Sequence, residues 1–311
     1  MIIDNKTLSL HELGKRSNQE DSIYPPLTGK EYVSSDLYIL CDGMGGHDCG
    51  EVASQNTCTA MSEYILSHPR EDGFFDKEDF NAALDAVYDR LDSLDDPQSE
   101  RKMGTTLTFL KFHRRGAFIA HIGDSRIYHI RPSGKKILHV TRDHSLVNDL
   151  IQLGELTPDE AKTSKQKNII TRAIQPNQAH RAKADCLNIT DVRAGDYFYM
   201  CSDGMLEVSE DEEICNVICM HRKTDVQKLA ILKNVTKDNK DNHSAHLIHI
   251  TSVQGESTDV NAGASAPQGK NQLQQNAGTR RGRLAIVCAL AIVAILLVFV
   301  VMYFLYRTKM I

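Results

Sequence analysis

The chain has 311 residues, 41% of them hydrophobic and 25% charged, an ordinary balance for one large globular domain plus an appendage. Its net charge of −5 excludes nucleic acid as the main partner, since a phosphate backbone calls for a basic surface. Proteins, small molecules and metals remain.

The first residues, MIIDNKTLSL, lack a basic segment followed by an apolar core, so they do not read as a secretory signal. The apolar run LYILC then ends at Asp42-Gly43. Ala53, Met61, Tyr64 and Ile65 follow helical spacing, as do Phe80, Ala83, Leu84, Val87, Leu91 and Leu94, and HPREDGFFDKED between them reads as a loop. From Thr105 to Val140 the texture changes to short strands, TLTFLKF, AFIAHI, RIYHIR and KILHV, separated by RRG, GDS and PSGK turns. Residues 144–180 are polar and partly helical, interrupted by Gly154, Pro158 and Pro176. Strands return at 197–201 and 245–250, with an acidic helix start, SEDEEI, at 209–214. Strands and helices come in blocks, which favours an α+β sandwich over a doubly wound sheet.

The folded part is expected to span 1–251, followed by a flexible linker at 252–283, rich in Gly, Ala, Ser, Asn and Gln. Residues 284–306, LAIVCALAIVAILLVFVVMYFLY, carry no charge. At 1.5 Å per residue such a run extends about 34 Å, enough to cross a bilayer as one helix. Arg280, Arg281 and Arg283 flank it on one side and Arg307 and Lys309 lie in the short tail 307–311, while Tyr303 and Tyr306 suit the far interface. The expected location is the cell membrane, single-pass, with the folded domain in the cytoplasm. The eight cysteines form no CxxC pair and no regular framework, which fits a reducing compartment. Cys215 and Cys219 are one helical turn apart, without a second zinc-type pair to join them.

Chemistry concentrates in acidic residues at strand ends: Asp42-Gly43, Asp203-Gly204, Asp241-Asn242, Glu20-Asp21 and Asp124 in the GDSR turn. Carboxylates that converge repel one another unless cations neutralise them. Such a cluster is a natural site for Mg2+ or Mn2+ held by oxygen ligands and water. The residues alone therefore point to a metal-dependent hydrolase.

RSNQED, DGMGGH with GE and AS following, GTT, GDSR, DHS, CSDG and DN occur in one order between about Arg16 and Ile250. In this the chain resembles the metal-dependent Ser/Thr protein phosphatases, the PPM or type 2C family, in their bacterial form. The resemblance implies an αββα four-layer sandwich of two antiparallel sheets flanked by helices, with a binuclear Mn2+ or Mg2+ site at one end. By position, Asp42 would bridge the two ions, Gly43 (by its carbonyl) and Glu20 would join it on one, and Asp203 and Asp241 would hold the other. Asp21 would orient the metal-activated water that hydrolyses phosphoserine or phosphothreonine, and Arg16 would hold the substrate phosphate, its guanidinium fork matching two phosphate oxygens. Bacterial relatives imply a third ion at Asp124, Asp203 and an acidic residue at the position of Glu207, where the family usually has Asp. Animal members carry a histidine where this chain has Met44; His47 follows three residues later and is not expected to be the general acid. Gln175 stands where relatives often have glycine. The 144–180 segment resembles the family's flap beside the active site. Implied partners are phosphorylated proteins, among them a membrane Ser/Thr kinase and its targets, and the lipid bilayer.

Two other readings compete: a silent interaction module on the same fold, which should have lost ligands, and a nucleophile at Ser125 or Cys41, for which neither a C-x5-R loop nor a G-x-S-x-G elbow is present.

Overall fold

A computed structural model describes residues 1–29, 32–45, 49–96 and 102–255. In chain order the elements are β1 (Ile2–Glu12), β2 (Asp21–Tyr24), β3 (Leu37–Met44), α1 (Cys49–Ser67), α2 (Lys77–Leu94), β4 (Gly104–Thr105), β5 (Leu107–His113), β6 (Gly116–Ile122), β7 (Arg126–Arg131) and β8 (Lys136–Val140). There follow α3 (Leu146–Leu153), α4 (Pro158–Thr163), β9 (Asp185–Ile189), β10 (Tyr197–Cys201), α5 (Asp211–Ile218), α6 (Asp225–Thr236) and β11 (His243–Gln254). One sheet has the order β1-β11-β10-β7-β8, the other β2-β3-β5-β6-β9 with β4 added beside β3. Neighbouring strands run antiparallel throughout.

Three apolar clusters divide the domain into layers. Ile39, Phe109 and Phe118 on the outer face of the second sheet meet Met61 of α1 and Phe80 and Leu91 of α2. Phe80 lies edge-on to Phe109 with ring centroids 5.1 Å apart, a favoured aromatic geometry. Tyr38, Leu40, Leu110, Phe198, Met200 and Ile248 interlock between the two sheets. Tyr199, Leu247 and Cys201 face Ile214 and Ile218 of α5 and Leu232 of α6. Alternate residues of one strand therefore enter different clusters, as the two-residue period of a strand requires: Phe198 and Met200 point between the sheets, Tyr197, Tyr199 and Cys201 toward the helices. The four layers expected from the resemblance are present.

A buried polar link also crosses the inter-sheet space. Thr7 of β1 donates to the Tyr38 hydroxyl at 2.7 Å, which donates to Asn5 Oδ1 at 2.6 Å. Each hydroxyl is thereby satisfied where water cannot reach it.

Several boundaries differ from expectation. The loop read into HPREDGFFDKED ends early, because Asp76 accepts from the amides of Glu78 and Asp79 in a capping box and starts α2 at Lys77. The last strand continues past Ile250 to Gln254, since β1 pairs along it from Glu12↔His243 to Ile2↔Gln254; residues 252–254 belong to the sheet and not to a linker. All described residues lie in one compact unit, Met1–Ser257. Among them no helix is long and apolar enough to cross a membrane. The apolar run 284–306, the rest of the linker and the 307–311 tail lie outside the described residues.

Candidate active site

The two sheets bring their acidic strand ends to one edge. Asp21 opens β2 directly opposite Asp42 near the end of β3. Asp203 follows β10 in a short 3-10 turn, and Asp241 lies two residues before β11. Asp42 is fixed by its backbone: its carbonyl accepts from Thr106 N at 2.8 Å and Thr105 Oγ1 at 2.9 Å, and its amide donates to Thr106 Oγ1 at 3.0 Å. Gly43 is demanded by close approach, for a Cβ there would lie 2.1 Å from the Gly50 carbonyl oxygen and 2.6 Å from that of Glu20. Asn242 ties the Arg16–Glu20 segment to β11. Its Oδ1 accepts from Glu20 N at 2.8 Å, and its Nδ2 donates to Leu13 O at 2.8 Å and Asn18 O at 3.0 Å.

Arg16, Glu20, Asp42, Gly43, Met44, Asp203, Asp241 and Asn242 line a cavity of about 320 Å³. Arg16 Nη2 donates to Asp241 Oδ2 at 2.7 Å, which raises the arginine pKa further. Asp21 is 3% exposed and lies behind the lining; its Oδ2 accepts from Ser202 Oγ at 2.9 Å, while Oδ1 is buried without a partner. Asp124 is half-buried, and its Oδ1 is likewise shielded without a partner. Glu207 is exposed, close enough to Asp203 to raise its pKa.

The electrostatics follow from crowding like charges in a dry place. Burial, then the neighbouring Asp203 and Asp241 carboxylates, push Asp21 up to about 7 against the hydrogen bonds from Ser244 and Ser202. Burial and Asp203 push Asp124 up to about 7. Asp42 is held well above the carboxylate range by burial and by Asp203, Asp21 and Asp124, and Asp203 is raised by burial and Asp241. Four carboxyls thus oppose ionisation together, two of them with an unpartnered oxygen. A set of oxygen donors this unbalanced fits hard divalent cations, whose charge would reverse every one of these shifts.

The alternative nucleophiles do not survive the geometry. Ser125 is fully buried and hydrogen-bonded to Thr106 Oγ1 at 2.9 Å. Cys41 is also fully buried, and that burial holds its thiol well above the ordinary value. His47 lies outside the described residues. The supporting residues Asn242, Ser202, Thr105 and Thr106 were not singled out from sequence, although three motifs, DN, CSDG and GTT, contain them.

The flap is anchored beside this edge. Ile170 lines the cavity and bridges to Ser145, and Ile174 pairs with Thr105. Gln175 packs locally, its Cγ 3.1 Å from where a Gly104 Cβ would be. At the flap base His121, His144 and Asp185 gather within ligand distance of one another. They are better explained as a clasp than as a metal site. The two imidazoles stack at 4.4 Å with nearly parallel planes, so their in-plane lone pairs do not converge. His144 Nδ1 accepts from Gly123 N at 3.1 Å, which leaves the proton on Nε2 to be donated to Asp185 Oδ2 at 3.1 Å, while Arg172 Nη1 donates to Asp185 Oδ1 at 3.0 Å. Cys215 and Cys219 sit with sulfurs 3.8 Å apart on α5, and no third metal-type ligand joins them among the described residues.

Residues 15–220 match the sequence model of the family described as Protein phosphatase 2C. The chain belongs to the protein phosphatase 2C family. Protein phosphatase PhpP of Streptococcus pneumoniae serotype 2 is 35% identical over 206 residues, covering 66% of this chain and 80% of that protein. The crystal structure of the Mycobacterium tuberculosis serine/threonine phosphatase PstP/Ppp superposes with a TM-score of 0.68 at 28% identity, covering 80% of this chain and 99% of that one. A second structure, the catalytic domain of PstP in complex with two manganese ions, gives 0.64 at 27% identity over 81% and 100% of the two chains. This phosphatase 2C member is accordingly a protein-serine/threonine phosphatase, and the silent-module reading falls.

Proposed function

We propose that the enzyme hydrolyses phosphoserine and phosphothreonine in proteins at a binuclear centre held by Glu20, Asp42, Gly43, Asp203 and Asp241. The observation that carries this reading is the convergence of these residues, with Arg16, on one cavity. Two Mn2+ or Mg2+ ions, when bound, supply a water nucleophile at neutral pH and positive charge on the phosphoryl oxygens. The chain does the rest. Arg16 exchanges its contact with Asp241 for two oxygens of the substrate phosphate, and the free Oδ1 of Asp21 orients the attacking water. Asn242 and the two threonines keep the carboxylates from moving apart as charge develops. Asp124, Asp203 and Glu207 form a third, weaker cation site. No side chain on the described cavity wall is an evident proton donor to the leaving alkoxide, so solvent serves. The flap, through Ile170, sets which peptides reach the centre.

A fragment ending at Ser257 should dephosphorylate phosphoserine and phosphothreonine peptides with Mn2+ or Mg2+ present and stop when EDTA is added. Calorimetry counts the ions. Full turnover in excess chelator would exclude the centre.

We further propose that residues 284–306 anchor the enzyme in the cell membrane with the catalytic domain in the cytoplasm, near a membrane Ser/Thr kinase and its targets. The uncharged 23-residue run supports this. Full-length protein should pellet with membranes and resist high-salt washes, because the attachment is hydrophobic, whereas the fragment ending at Ser257 should remain in the supernatant. Release by salt alone would refute the anchor.

A further inference from the structure

At the other end of β10 from Asp203, a second cavity of about 370 Å³ is lined by Tyr32, Pro132, Tyr197, His221, Lys223, Asp225, Lys228 and His249, among others. None of these residues belongs to the catalytic edge. Its centre is a buried lysine: Lys228 is 4% exposed, on the first turns of α6. The ammonium donates to the Tyr197 hydroxyl at 2.8 Å, and that hydroxyl donates to Asp225 Oδ1 at 2.6 Å. Asp225 Oδ2 in turn accepts from His249 Nδ1 at 2.8 Å. Asp225 is therefore fully used by its own neighbours and is the only carboxylate on the wall among the described residues.

The cationic side is in excess. Lys223 and His221 are exposed at the rim, and the Lys6 ammonium stands over the Tyr32 ring just outside. Lys228 donates to the Tyr197 hydroxyl, stands 4.3 Å over that ring and pairs with Asp225 at 3.8 Å, a carboxylate it shares with Tyr197 and His249. Among the described wall residues two ammonium groups, Lys228 and Lys223, thus face a single carboxylate, so a bound anion would balance the charge. Tyr32, Pro132 and His249 add flat, partly apolar walls.

We propose that this cavity binds a small phosphorylated molecule carrying a planar ring, its phosphate between Lys223, Lys228 and His221 and its ring against Tyr32 and His249. A phosphate suits the site better than a carboxylate because two ammonium groups and an imidazole line one wall and a phosphate offers more acceptor oxygens to them, and the volume admits a mononucleotide-sized ligand. The active site also attracts phosphate, so the test removes that competitor. The full-length chain bearing Arg16→Ala, in detergent with EDTA, is titrated with AMP and with inorganic phosphate by calorimetry. AMP should bind saturably and at least ~10-fold tighter than inorganic phosphate, about 1.4 kcal/mol contributed by the ring. Adding Lys223→Ser and His221→Gln, both exposed and remote from folding contacts, should weaken AMP by at least ~10-fold. No saturable binding, equal affinity for the two probes, or indifference to the double exchange would each overturn the proposal.

Discussion

Asp42→Asn should lower phosphatase activity by at least ~100-fold, the scale associated with removing one charge-stabilising group from an active site. The substitution keeps the shape of the side chain and every backbone hydrogen bond that fixes the position, to Thr105 and Thr106, so the fold should persist. Asp203→Asn should behave alike. A second readout separates lost metal binding from simple damage. Removing one charge from four mutually repelling carboxyls should raise the melting temperature of the metal-free protein, while the stabilisation by Mn2+ expected of the wild type should shrink or vanish. An Asp42→Asn enzyme with near wild-type turnover would show that this residue does not hold the ions.

In EDTA, the melting temperature should fall as pH rises from about 4 to about 7. The sign follows from Asp21 and Asp124, each pushed from 3.8 up to about 7 in the folded state. Between those values the folded protein keeps a proton that the unfolded chain has released, so folding takes up protons and stability drops with pH. Each kcal/mol lost across this window would lower the midpoint by roughly 2–4 °C for a domain of this size. Mn2+ competes with those protons, so its stabilising effect should grow over the same window. A melting temperature that is flat or rising in EDTA would mean the carboxyls are not crowded as described.

The clustered carboxylates Asp42, Asp203 and Asp241 were legible because each is followed by a residue with its own reason to be there. Gly43 and Gly204 admit a close backbone approach, and Asn242 acts as a three-way clamp. Strands β5 to β8 were legible from their turns. The first strand was not, because IIDNKTLSLHE mixes charge into its alternation and gains its place from eleven pairings with β11 at the far end of the chain. Helix α6 was also missed: DVQKLAILKNVT has apolar residues around much of its circumference, and Lys228 is buried where an apolar residue would be expected. The role of Ser202 depends on Asp21, 181 positions away, and local pattern carries no such information.

The pairing of Ile2 with Gln254 also sets a direction of departure. β11 begins at His243, next to Asp241 in the cavity, and runs twelve residues, roughly 37 Å at about 3.4 Å per step. Whatever pulls on the chain beyond Gln254 therefore pulls from the end remote from the catalytic mouth. The load enters β11 where β1 pairs along it, and from His249 to Ala245 β10 pairs on the other side, so it is shared along a ladder in shear and not concentrated on Asp241. In the anchored enzyme proposed above, a tug on the chain would leave Asp241 and its neighbours in the cavity unstrained.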